Sequence, residues 1–381
     1  MRLYDPWKRV WLDQDVRAPG PTKGLVGTHP FVDLHTHVRL NTNEDYRSLE
    51  RAALAGGFST LVIQPNTNPP LQDRAALETH RRLVKDLKVT TLWAADFFGD
   101  LDIDPESGVV CYSTDGSYYT HEDLVRTFKK REKGLLLDHS QVHELDGDFY
   151  EGTDIPFSKR PLSNEAIAVY RTVLTGLEYG FDAFHIQHVT TALALDSIAH
   201  LKCCARVTCE VTPHHLLLTM EDIDSTNKKV NPPFGRKEDR GALIRAVERG
   251  IVDALATDHA PHPEKGEDFS RAPFGTSIIE VAFSAYYTAL RNIELVFEKL
   301  TVGPLKVLRK SGNFCDGNLV LVDPKAEYVV NTSRFFSKGK NCALEGMKLM
   351  GRVVGVKLSD RWVYWDGEFL SDERQGFEDQ L

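Results

Sequence analysis

The sequence predicts an α/β chain whose larger part is a (β/α)8, TIM-like barrel. Three observations carry that expectation. Short apolar runs recur at 31–38, 60–64, 91–97, 109–112, 134–137, 182–186, 206–211 and 251–256, eight in all. Between most of them lie stretches with apolar residues at helical spacing, at 45–55, 74–84, 121–131, 164–177, 191–201 and 236–249. Strands that alternate with helices pair in parallel, and eight such units are what a closed barrel requires. Finally, polar residues collect just after the runs, where a barrel gathers them on its C-terminal face. An open doubly wound sheet would scatter them along an edge, and no Gly-x-Gly-x-x-Gly or phosphate loop supports that option.

The first run, Phe31-Val-Asp-Leu-His-Thr-His-Val-Arg39, places Asp33, His35, His37 and Arg39 on alternate positions. In a strand that parity puts them on one face, with the two imidazoles roughly 7 Å apart at Cα and able to converge on one ion. For a lone His-x-His, a half-exposed strand with solvated histidines is an equal alternative. The later runs shift the balance. Asp115 follows the fourth, His139 the fifth, His188 the sixth, and Asp258 the last. Imidazole and carboxylate are zinc ligands, and a catalytic zinc keeps one position open for water. Five strand ends that each carry such a residue point to a metal centre.

The helical rhythm fails once. Residues 99–108 are rich in Asp and too short for a full crossover helix, so a turn is expected there. After residue 313 the texture becomes β-rich, at 318–323, 328–331 and 352–363, with turn signals at Ser359-Asp360 and Asp366-Gly367. Residues 1–30 hold one candidate strand, around 9–12, and are too few to fold alone. The expected organisation is a small β domain from 1–30 and 314–381, with the barrel at 31–313. The acidic stretch 371–381 reads as a loose tail.

Composition sets the outer bounds. The chain has 381 residues, 41% hydrophobic and 27% charged, with a net charge of −9. That balance argues against a nucleic-acid partner, and Lys129-Lys130-Arg131 reads as a solvated helix face. No apolar run reaches the ~18 residues of a spanning helix, and the N-terminus lacks a signal-peptide core. A cytoplasmic protein with no membrane contact is expected. The six cysteines (Cys111, Cys203, Cys204, Cys209, Cys315 and Cys342) show no Cys-x-x-Cys spacing and are expected to be reduced and mostly buried.

Six ordered motifs carry a resemblance. Asp33-Leu-His-Thr-His-Val-Arg39, Gln64-Pro-Asn-Thr-Asn-Pro-Pro70, His185-Ile-Gln-His-Val-Thr190, Glu210-Val-Thr-Pro-His-His215, Lys229-Val-Asn-Pro-Pro233 and Thr257-Asp-His-Ala-Pro-His262 resemble the successive motifs of type I dihydroorotases, within the amidohydrolase superfamily. The resemblance runs from about residue 31 to the C-terminus. It implies a barrel with a small β domain built from both chain ends, binding one or two zinc ions and hydrolysing dihydroorotate reversibly to N-carbamoyl-aspartate in pyrimidine biosynthesis. His35, His37, His139 and His188 match the family's metal ligands, and Asp258 matches the carboxylate that is both ligand and catalytic acid/base. Arg39, Asn66 and His262 match the residues that hold the substrate carboxylate, and Asn231 matches a further substrate contact. Residues 272–275 match a loop near the pyrimidine ring. His185 is then a neighbour of the site, not a ligand.

Two departures matter: the short N-terminal segment with the weak fourth crossover, which bears on the small domain, and the fourth strand. Many amidohydrolases bridge two metals with a carbamylated lysine on the fourth strand, where this chain has Val109-Val-Cys-Tyr-Ser-Thr-Asp-Gly116. Some type I dihydroorotases carry Asp-Asp-Gly there. Here only the second aspartate remains, which makes Asp115 the expected bridging ligand. Pro69-Pro70 and Pro232-Pro233 are expected to fix the loops that aim Asn66 and Asn231. His214 and His215 read as surface or supporting residues, and Tyr118-Tyr119 as packing. The rival functions are another cyclic amidohydrolase, such as a hydantoinase or allantoinase, and a silent homologue serving aspartate transcarbamoylase as a structural partner. Arg39 favours dihydroorotase over the first, and the complete ligand set disfavours the second. A homo-oligomer is expected, with aspartate transcarbamoylase as a possible associate.

Overall fold

The computed structural model describes residues 1–40, 44–131, 133–310 and 317–370. The acidic tail, Cys315 and the start of the C-terminal β segment lie outside them. The chain opens with β1 (Arg2–Asp5), β2 (Val10–Asp13) and β3 (Val26–Thr28). The barrel strands follow as β4 (Phe31–Thr36), β5 (Phe58–Ile63), β6 (Thr90–Asp96), β7 (Val109–Ser113) and β8 (Leu135–Asp138). After the short pair β9 (Phe149–Tyr150) and β10 (Lys159–Arg160) come β11 (Ala183–Ile186), β12 (Arg206–Val211) and β13 (Ala254–Leu255). All eight expected runs are therefore strands. They are hydrogen-bonded in the order β4-β5-β6-β7-β8-β11-β12-β13, every pair parallel.

The crossovers are α1 (Tyr46–Ala55), α2 (Arg74–Val84), α3 (His121–Lys130), α4 (Ser163–Glu178), α5 (Ala192–Leu201), the short α6 (Pro213–Leu217) and α7 (Lys237–Glu248), with α8 (Ala282–Leu290), α9 (Ile293–Leu300) and α10 (Val302–Val307) after β13. Side-chain caps set the starts of α1, α2, α3 and α5: Asp45, Asp73, Thr120 and Thr191 each accept from a first-turn amide. Behind the strands the helices bury a continuous aromatic layer that includes Phe97, Phe128, Phe181 and Phe184, with Phe97 and Phe128 edge-on at 4.9 Å.

Between β6 and β7 no α-helix forms, only a 3-10 turn at Pro105–Ser107. The carbonyls that a helix would have satisfied are taken by one side chain. The Arg131 guanidinium donates to Phe97, Gly99 and Leu101 carbonyls at 3.1, 2.7 and 3.1 Å, and lies over the Tyr112 ring. Its side chain is only 7% exposed, so the expected solvated charge run ends at Lys130.

After α10 the chain forms β14 (Leu319–Val329), β15 (Lys348–Leu358), β16 (Arg361–Trp365) and β17 (Glu368–Phe369). With the N-terminal strands they make a seven-stranded sheet, β17-β16-β15-β14-β3-β1-β2. The N-terminus supplies three strands where one was expected. Residues 328–331 are not a separate strand, because β14 runs on past a register shift between Asp323 and Glu327. Among the described residues no helix is long and apolar enough to cross a membrane. Cys111, Cys209 and Cys342 are buried free thiols, whereas Cys203 and Cys204 are exposed.

Candidate metal centre

The six residues expected to hold metal converge at the C-terminal ends of five strands. β4 delivers His35 and His37, whose rings lie 5.1 Å apart. Asp115 follows β7, and its Oδ2 stands 3.1 Å from His35 Nε2, 3.4 Å from His139 Nδ1 and 3.9 Å from His37 Nε2. Asp258 follows β13, with Oδ1 at 3.1 Å from His37 Nε2 and 3.5 Å from His35 Nε2. His188 follows β11 and reaches His139 Nδ1 at 2.8 Å. Two overlapping donor triads result, His35/His37/Asp258 and His35/Asp115/His188, which share His35. Asp115 faces three of the four imidazoles.

Two of these residues sit in left-handed backbone conformations, His188 at φ 34° and Asp258 at φ 50°. A non-glycine residue there costs of order 1–3 kcal/mol unless its surroundings hold it. Beyond His188, Glu165 of α4 accepts from the amides of Thr190 and Thr191 at 2.9 and 3.0 Å, and from both their hydroxyls. Before Asp258, Thr257 is held by Asp33. Asp33 thus braces the last strand, which is why a strand so polar on one face is tolerated.

The electrostatics fit a cation. Burial works to raise the Asp115 carboxyl, but the charge on His37 and hydrogen bonds from His139 and His35 outweigh it and hold it well below the usual carboxylate range. Burial likewise opposes protonation of His35, yet Asp258, Asp115 and Glu210 keep its pKa well above the normal value, a pull on positive charge at a place where a bound ion would displace the proton. His188 is pushed the other way by burial, then by His139 and His35, and stays neutral as a ligand must. Its Nδ1 is buried without a hydrogen-bond partner among the described residues. An orphaned imidazole nitrogen among carboxylates and further imidazoles is the donor set of a divalent metal site.

The neighbours explain what aims these groups. The sequence alone assigns Glu210 no role. Its Oε1 lies 2.9 Å from His35 Nδ1 and its Oε2 3.0 Å from His185 Nε2, and those imidazoles overcome burial to bring its pKa to about 2. A carboxylate behind a ligand histidine fixes its ring and tautomer. His185 is therefore one shell removed from the centre. His214 and His215 are both buried, which corrects the surface alternative: His215 bonds Thr212 Oγ1 and the Pro232 carbonyl, anchoring the loop that carries Asn231.

The cavity above the centre, about 320 Å³, is walled by Arg39, Asn66, Asn231 and Phe274 among others. Asn66 accepts from or donates to both sides of the centre, His37 Nδ1 at 2.7 Å and Asp115 Oδ1 at 2.9 Å. Asn231 Nδ2 reaches His139 Nε2 at 3.2 Å while its Oδ1 accepts from Arg160 at 2.6 Å. His262 is not among the cavity walls, and its Nε2 lies 2.9 Å from the Phe274 carbonyl. Burial pushes the Arg39 guanidinium down, against the pull of Asp115 and Asp258. Gln141, His143 and Tyr118 also line the cavity and were not foreseen there. Tyr119 packs as expected, but Tyr118 is 74% exposed and lies against His143 with ring centroids 4.5 Å apart.

A parallel eight-stranded barrel with histidines and aspartates gathered at its strand ends is the architecture of the amidohydrolase class. Solved structures agree on the fold: an L-hydantoinase from Arthrobacter aurescens superposes with TM-score 0.81 at 20% identity, covering 94% of this chain and 90% of its own. A dihydropyrimidinase from Brevibacillus agri gives TM-score 0.80 at 17% identity, covering 97% and 95%. No family model matches the chain. Among curated proteins, a provisionally named dihydroorotase of Thermotoga maritima is 54% identical over 98% of this chain and 100% of its own. The dihydroorotases of Aquifex aeolicus and Bacillus subtilis are each 30% identical, covering 96% and 91% of this chain and 94% and 89% of theirs. The chain belongs to the dihydroorotase family.

Proposed function

We propose that this protein catalyses the reversible hydrolysis of L-dihydroorotate to N-carbamoyl-L-aspartate, with zinc held by His35, His37, Asp115, His139, His188 and Asp258. The observation that carries the reading is Arg39. It lines one cavity with Asn66 and Asp258, and a planar guanidinium suits a substrate carboxylate, which simple hydantoins lack. A bound divalent ion supplies Lewis acidity, polarising a carbonyl and making water acidic enough to attack at neutral pH.

The protein's own residues do the rest. Asp258, beside His37, takes the proton of the attacking water and delivers it to the departing amide nitrogen. Asp115 neutralises the facing imidazoles and stands where relatives in the superfamily use a modified lysine. Asn66 ties His37 to Asp115 and so keeps the two sides of the centre in register. Arg39 orients the carboxylate, His262 supports that clamp from behind through the Phe274 carbonyl, and Asn231 lines the same cavity.

The proposal extends to a small β domain of 1–30 with 314–381 set against a barrel of 31–313, to a homo-oligomer working in the cytoplasm in pyrimidine synthesis, and to association with aspartate transcarbamoylase. The decisive experiment measures zinc content and dihydroorotate hydrolysis on one purified sample. Stoichiometric zinc without turnover would favour the silent homologue. Turnover of hydantoin in preference to dihydroorotate would favour the rival cyclic amidase.

A further inference from the structure

We propose that the cavity at the N-terminal end of the barrel, bounded by Trp7, Arg206, Lys299 and Lys306, binds a small multivalent oxyanion of the phosphate class. This cavity, about 590 Å³, opens at the end of the barrel opposite the metal centre. Arg206 begins β12, Asp253 immediately precedes β13, and the lysines come from α9 and α10. Its volume lies within the range of small-ligand sites.

The argument is one of unbalanced charge. Two carboxylates border the cavity, and each already has a cation. Glu298 accepts from Arg9 at 2.8 Å and from the Tyr4 hydroxyl at 2.7 Å. Asp253 accepts from Lys202 at 2.7 Å and from the Cys209 amide at 2.9 Å. That leaves Arg206, Lys299 and Lys306, which form no ion pair among the described residues. Arg206 Nη2 donates to the carbonyls of Lys306 and Val307, while its Nη1 is buried with no hydrogen-bond partner among the described residues. Lys299 is half-buried with its ammonium on the Val252 carbonyl at 2.5 Å, and burial pushes its pKa down against the pull of Asp253. The Lys306 ammonium faces the Trp7 indole at 6.0 Å.

Gathering three cations around one cavity, with a guanidinium donor left unmade, disfavours the empty state and favours an anion. Lysines act as point charges and arginine as a fork, the combination that takes phosphoryl oxygens. The site is distinct from the catalytic cavity, and it touches the two strands that lead to Glu210 and Asp258.

The test is calorimetric titration of the metal-loaded protein with inorganic pyrophosphate and, separately, with a nucleoside monophosphate, while saturating N-carbamoyl-aspartate occupies the catalytic cavity. Saturable binding of either probe is expected, and Lys306→Met and Lys299→Met are each expected to weaken it at least about tenfold. Lys306 is exposed, so that variant keeps its fold. Trp7 fluorescence should report the same event, with the response lost in Trp7→Phe while the heat of binding remains. Tighter binding of the nucleotide would place its base in the cavity too; pyrophosphate alone would mark a site for the phosphoryl groups. Absence of saturable binding to wild type overturns the proposal, as does unchanged affinity in both lysine variants.

Discussion

Thr257 donates both its amide and its hydroxyl to the Asp33 carboxylate, at 2.9 and 2.6 Å, across 224 residues of chain. The first and last barrel strands share no ladder, and they meet here and at the bridge between Thr36 and His259. The Thr36 hydroxyl and the His35 amide complete the shell of Asp33. Asp33→Asn removes an acceptor shared by two hydroxyls, and each buried group stranded costs roughly 1–3 kcal/mol. The variant should lower the urea midpoint and shed zinc more readily. An unchanged midpoint would show that the backbone bridge closes the barrel unaided.

Removing the two β4 imidazoles should empty the centre. His35 belongs to both donor triads and His37 to one, so His35→Ala/His37→Ala leaves no complete group of three among them. Metal analysis of the purified variant should find zinc at a small fraction of the wild-type content, with the fold intact by circular dichroism. Full zinc in that variant would refute the ligand assignment.

Asp115 should make assembly independent of carbon dioxide. It is the one acid between residues 109 and 116, and no lysine stands there to be carbamylated. Metal-free protein should regain activity at the same rate and to the same extent with zinc alone as with zinc plus bicarbonate. A requirement for bicarbonate would point to a carbamylated lysine elsewhere.

The barrel was legible because its signal is periodic. Strands such as β7 and β12 begin where the apolar runs place them, and Arg74–Val84 reproduces its helical stretch residue for residue. The six candidate ligands were legible because His35 and His37 alternate within the first run and the other four stand two or three residues beyond later ones. What escaped has no local pattern. Glu210 acquires its part only when β4 and β11 bring His35 and His185 to its two oxygens. Arg131 looked like one more cation until the loop that lacks a helix folded around it. The N-terminal strands β1 and β3 span four and three residues, too few for alternation to show, and exist by pairing with each other and with β14.

Glu165 should leave a pH signature on stability. Burial raises its carboxyl from 4.5 to about 7, against the hydrogen bonds from Thr191 and Thr190. Between those values the folded chain holds a proton that the unfolded chain has released, so this group's contribution falls as pH rises through about 7. Urea midpoints measured at about pH 5 and about pH 7.5 should show that decline in wild type and a smaller one in Glu165→Gln. An equal decline in both would assign it to other groups.

Arg39 should recognise the substrate and take no part in bond cleavage. It lines the catalytic cavity with Asp258, yet an always-protonated guanidinium cannot shuttle protons and suits a planar anion. Losing a hydrogen bond to a charged group costs about 1.5–3 kcal/mol, more where the partner is stranded in a closed pocket. Arg39→Met should therefore lose at least about tenfold in kcat/KM on dihydroorotate while retaining wild-type zinc. Dihydrouracil, which lacks the carboxylate, separates recognition from chemistry. Wild type should turn it over slowly, and the substitution should barely change that residual rate. Equal slowing of both substrates would move Arg39 into the chemistry or the scaffold, and preference for dihydroorotate over other cyclic amides would then need a different residue to explain it.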